Sequence, residues 1–136
     1  MIAVLLAAML QTSLPMRSIE KGAMSNMDDA RQATARSVEE WSTLWNLHAG
    51  ARTRPAVDFS RDVVVAVFMG TRPTAGFGIE IVRVREEGNS LVVSYKETRP
   101  APGLLTAQVL TSPYHIVAVP RGTLSPATDV KFERVN

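Results

Sequence analysis

Residues 63–81 read VVVAVFMGTRPTAGFGIEI, and this stretch constrains the fold more than any other. The first six residues are apolar, and all but one are β-branched or aromatic. The run is too short for a helix of ordinary length and rich in Val, so it predicts a buried central strand. Phe77, Ile79 and Ile81 then alternate with Gly78 and Glu80, which places the three apolar side chains on one face of a second strand. The connection between the strands is longer than a tight hairpin turn. Pro73 fixes its own φ, and Gly70 and Gly76 permit conformations that other residues avoid. A mostly-β domain centred on this pair follows, with the connecting loop as its expected working surface.

A chain of 136 residues holds one domain with one core. Its hydrophobic content of 46% excludes disorder. The absence of cysteine excludes disulfides, thiolate catalysis and lipoprotein anchoring through a lipobox. The formal charge is +2, and 12 of the 15 basic residues are Arg. They are dispersed, with no basic run and no aromatic interleaving, so no nucleic-acid partner is expected.

Residues 2–10, IAVLLAAML, are too few to span a bilayer as a helix. Their length and position fit the apolar region of a signal peptide, which predicts a leader over residues 1–15 and a single domain over 16–136. A buried terminal strand or short helix is the alternative. Residues 16–22 suit an edge strand, and 31–36 suit a strand or the start of a helix. Ser37, followed by Glu40, reads as a capping box that opens a helix over about 37–48. Val38, Trp41, Leu44, Trp45 and His48 form its apolar stripe, with the two Trp anchoring it to a sheet. His48, in the last turn, suits the helix dipole when protonated. Asp58 and Ser60 suit local capping of backbone amides. The phase slip after Ile81 predicts a β-bulge, and residues 86–90 a hairpin turn. Residues 91–96, 107–110, 115–119 and 130–135 have strand character, and 98–103 a loop. The expected fold is mainly β (α+β): a β-sandwich or curved antiparallel sheet of about six strands with one covering helix.

Residue chemistry points away from catalysis. No G-x-S-x-G, zinc-ligand, EF-hand or phosphate-loop spacing occurs, so no cofactor or metal is expected. A Ser112/His115/Asp constellation can be drawn, but nothing in the spacing specifies it.

Several motifs fall in a telling order. Asp58-Phe59-Ser60 precedes VVVAVFMG. Arg72-Pro73-Thr74-Ala75-Gly76-Phe77 and Ile79-Glu80-Ile81 follow. Then come Glu97-Thr98-Arg99-Pro100 and Leu110-Thr111-Ser112-Pro113-Tyr114-His115-Ile116-Val117. Over residues 57–132 this series resembles the PrcB C-terminal domain family, named for a subunit associated with a surface protease of spirochaetes. The resemblance implies an exported, non-enzymatic partner domain, periplasmic or secreted. Its partner would be a protein, envelope or secreted peptidases among the candidates, with no stable membrane anchor after leader cleavage. The segment from Arg72 to Phe77 is also similar to the N-P-T-T-G-[FY] loop of chagasin-type cysteine-protease inhibitors, with Arg and Ala replacing two of its residues. That similarity implies a peptidase inhibitor acting through Pro73–Phe77. The protein-binding reading places the contact on the 70–76, 98–103 and 112–114 loops, with Arg72, Pro73, Thr74, Gly76, Phe77, Arg99, Pro100, Ser112 and Tyr114 as candidate binding residues, whereas the inhibitor reading uses Pro73–Phe77 alone.

Overall fold

The computed structural model of the protein describes residues 11–122 and 128–136. Along the chain these form β1 (Gln11–Leu14), β2 (Arg17–Gly22), β3 (Arg31–Ala35), α1 (Val38–Ala49), β4 (Asp62–Phe68), β5 (Gly78–Glu87), β6 (Ser90–Thr98), β7 (Tyr114–Pro120) and β8 (Asp129–Val135). Among the described residues the architecture is mainly β with one helix, as expected, but with eight strands instead of about six. One four-stranded sheet has the order β2-β7-β4-β3 and the other β1-β5-β6-β8. All pairs are antiparallel except β6 with β8, which run parallel. An all-antiparallel arrangement is thereby corrected.

The first sheet lies in the middle of three layers. Val63, Val65, Val67 and Met69 point to the second sheet and pack with Ile79, Ile81, Val84, Leu91, Val93 and Val117. Val64, Ala66 and Phe68 point the other way and pack with Trp41, Leu44, Trp45, Tyr114 and Ile116. Burial on both faces explains the unbroken apolar run of β4: a strand with one wet face would alternate. Fully burying each such aliphatic side chain contributes about 1.5–3 kcal/mol.

Helix α1 covers the outer face of the central sheet. The Ser37 hydroxyl accepts from the Glu40 amide at 3.2 Å. The Glu40 carboxylate reaches back to the Arg36 amide at 2.7 Å, one residue before the N-cap. The indole N–H of Trp41 donates to Pro55 O and that of Trp45 to Arg52 O, so both rings bury without an orphan donor. Val38 departs from the expected stripe and is exposed.

The expected bulge lies between Ile81 and Arg83 and returns Val84 to the core. Gly88 and Asn89 make the two-residue turn between β5 and β6. Asp58 Oδ1 accepts from the Ser60 amide at 3.0 Å, the local cap foreseen for it. The strand expected over 107–110 does not form. That segment is irregular, and it is tied to the 72–75 loop at Ala107 and, just beyond it, at Thr111. The apolar run of the expected leader, residues 2–10, lies outside the described residues. Gln11–Leu14, which the expected boundary would remove, pair with Val84–Glu87 of β5. Among the described residues no helix is long and apolar enough to cross a membrane.

Candidate functional site

Two long connections meet at one end of the layers: residues 69–77, between β4 and β5, and 99–113, between β6 and β7. They are tied together. Arg72 and Thr111 exchange both backbone hydrogen bonds, at 2.7 and 2.9 Å. The Ala75 amide donates to Ala107 O at 3.0 Å, and the Thr111 hydroxyl donates to Thr74 O at 2.9 Å. Gly70 and Gly76 have φ of +80° and +95°. A Cβ on Gly70 would sit 2.7 Å from the Ala30 amide nitrogen, and one on Gly76 3.0 Å from Pro100 Cβ. Left-handed backbone and close packing therefore both demand glycine here.

Seven of the nine expected site residues lie in this cluster. Two guanidinium groups approach the Phe77 ring, Arg72 at 5.8 Å and Arg99 at 6.0 Å from its centroid. Pro100 packs on Gly76. Arg72 donates to Met69 O at 3.0 Å, and its Nε is buried with no partner among the described residues. Arg72 thus clamps the loop from within, whereas Arg99 is half exposed beside Glu97. Pro73 is exposed, and Thr74 is held through its carbonyl.

Ser112 and Tyr114 lie elsewhere. Neither is presented to solvent, and Tyr114 is 6% exposed. The Ser112 hydroxyl donates to Met27 O at 2.7 Å, and the Tyr114 hydroxyl donates to Glu20 Oε1 at 2.7 Å. Their side chains serve the interior beneath α1, which corrects their placement on a contact surface.

Sequence reasoning missed the apolar part of the cluster. Leu104, Leu105, Val109 and Leu110 are 61%, 98%, 51% and 67% exposed. Single exposed apolar residues are ordinary, but four within seven residues of irregular chain are a concentration that calls for an explanation. The available signal was a Leu pair after Pro-Gly with no alternation to place it in a strand.

Both histidines are internal. The Ile81 amide donates to His115 Nδ1 at 2.9 Å, so Nε2–H donates to Ser18 Oγ at 2.9 Å. Burial first, then the nearby Lys21, holds the His115 pKa below 6.5, against the pull of Glu80. Ser112 bonds Met27, not His115, so the Ser112/His115 pair does not form. His48 bonds Ser25 Oγ through Nδ1 and Glu20 Oε1 through Nε2, both at 2.8 Å. Burial also lowers its pKa, so it is a neutral bridge and not the cation on the helix dipole that its position suggested. Glu20 also accepts both terminal nitrogens of Arg52, at 3.0 and 2.9 Å. Among the described residues no group of three potential metal ligands forms.

Residues 63–120 match the family described as PrcB C-terminal. The match spans β4 through β7 and contains the whole loop cluster. No curated protein and no solved structure matches the chain.

Proposed function

We propose that this protein is a non-catalytic, exported protein-binding domain that engages an envelope protein through the loop cluster. The observation that carries the reading is the concentration of exposed apolar side chains at Leu104, Leu105, Val109 and Leu110, on the connection that also carries Arg99 and that is tied at Ala107 and Thr111 to the 72–75 loop. Apolar side chains together with Arg are the composition of a protein interface. The family match supports a partner connected with a protease complex, and a cell-envelope peptidase is the first class of partner to test. The non-catalytic reading is supported by the two histidines, whose ring nitrogens are committed to internal bonds.

The inhibitor reading draws no comparable support. The backbone of Arg72, Thr74 and Ala75 is bonded to the 107–111 segment, and Phe77 is half-buried beside Arg72 and Arg99. A loop so occupied has few free groups to offer a peptidase cleft.

The test is capture from a native envelope fraction with the wild type and with the double variant Leu105→Asp/Leu110→Asp. A partner retained by the wild type and lost by the folded variant is the expected result. Equal retention of every captured protein contradicts the reading. A titration against papain-like and serine proteases is expected to leave their activity unchanged.

A further inference from the structure

The two sheets have four edges: β1, β8, β2 and β3. Three are blunted. β1 has four residues. β2 carries a register shift between Ser18 and Glu20 and turns the Glu20 carboxylate inward to Arg52, His48 and Tyr114. β8 alternates Lys131 and Glu133 with its apolar residues, and Glu133 is tied to Arg85 and Ser94. Bulges, inward charges and charged edges of this kind prevent strand addition. β3 is also short, at five residues, and begins with Arg31, but it has no register shift and no inward-turned carboxylate, and among the edge strands it is the one that borders a groove of about 330 Å³ shared with α1. Arg31, Ala33 and Thr34 line one wall, and Glu39, Glu40, Thr43, Leu44 and Leu47 of α1 the other.

We propose that β3 and α1 form a second binding site, distinct from the loop cluster, for an extended peptide segment of a partner protein. The chemistry of the edge selects the occupant. A strand edge presents a row of amides and carbonyls that another extended backbone satisfies, and alternate side chains of the added strand then enter the groove. Ala33 leaves room on the strand side, and Leu44 and Leu47 supply an apolar wall. Arg36 and Ser37 are the whole connection between β3 and α1, so Glu39 and Glu40 mark the end of the groove where the strand passes into the helix. The peptide that fits has a small or medium apolar side chain facing Leu47 and a Lys or Arg at the Glu39/Glu40 end. Leu47, about half exposed on an otherwise polar helix face, gains a partner in this arrangement.

A phage-displayed library of random linear peptides panned on the full chain tests the site. Selected peptides are expected to carry the apolar and basic pattern and to shift the amide resonances of Arg31–Ala35. Leu47→Glu is expected to weaken them about tenfold, and Glu39→Lys about threefold, with a loss of no more than a few degrees in the thermal midpoint, because both side chains are exposed and only the helix-dipole interaction is lost. The proposal is overturned by panning that enriches no peptide, by peptides that bind both variants as tightly as the wild type, or by shifts confined to residues 99–110. It is equally overturned by a homodimer that Leu47→Glu dissociates, which would make a second copy the occupant. Leu105→Asp/Leu110→Asp leaves peptide binding unchanged if the two sites are separate, so failure at one does not decide the other.

Discussion

Glu20 shows how much one side chain on an edge strand can organise. It joins β2 to α1 through His48, to β7 through Tyr114 and to the post-helix segment through Arg52. The Arg52 guanidinium, aided by Tyr114 and His48 and opposed by burial, holds its carboxyl at about 2 instead of 4.5. A carboxyl depressed on folding stabilises the protein above its unfolded pKa and ceases to do so as pH falls through the folded value. On the order of 3 kcal/mol is therefore lost between pH 4.5 and 2, readable in urea titrations across that range. Glu20→Gln is expected to cost about 1–2 kcal/mol at pH 7 and to flatten this acid limb, because it weakens the charge-assisted bonds from the buried Tyr114 and His48, whereas the exposed Arg52 is rehydrated. His48 and His115 act in the same direction at higher pH. Both are held neutral by burial, so stability declines as pH falls below their ordinary 6.5. Tyr114, pushed up to about 12 by burial and by Glu20, stays protonated in the fold and withdraws stability as pH rises above 10. None of this was legible in the sequence. Glu20, His48, Arg52 and Tyr114 are joined by the fold, and no local spacing announces them.

At the scale of elements, what was legible follows from what is local. β4 and α1 announce themselves because an unbroken Val-rich run and a capped apolar stripe each need only neighbouring residues to be read. β3 was ambiguous because its sequence, Arg-Gln-Ala-Thr-Ala, has no strong preference, and pairing with β4 decides it. Segment 107–110 has strand composition, yet it is irregular and tied at Ala107 to the 72–75 loop, a tertiary contact that the local pattern does not show. The loop connecting β4 to β5 depends on glycine. Gly70→Ala is expected to destabilise by more than about 1 kcal/mol, measured by denaturant unfolding, since it adds both left-handed strain and a clash with Ala30. In α1, Ser37→Ala is expected to cost about 1 kcal/mol by loss of the cap. Trp45→Ala is expected to cost about 3–5 kcal/mol by opening a cavity against the central sheet.

At the scale of the whole molecule, the described residues divide into a well-covered interior and one end where two hydrogen-bonded loops carry exposed apolar side chains. The central sheet has a helix on one side and a sheet on the other, so β4 and β7 are expected to be the last segments to exchange their amide hydrogens. The sequence predicted the mainly-β architecture and placed the expected contact on the 70–76, 98–103 and 112–114 loops. It did not predict that Arg72 would be consumed in holding the first of these, or that Leu104, Leu105, Val109 and Leu110 would be exposed together, because exposure is a property of the assembled layers. The most direct measurement is an amide hydrogen-exchange footprint of the captured complex against the free protein. The account predicts slowed exchange across residues 99–110, with the 71–77 loop following through its hydrogen bonds. Slowed exchange confined to other surfaces, with 99–110 as open to solvent in the complex as in the free chain, would contradict it.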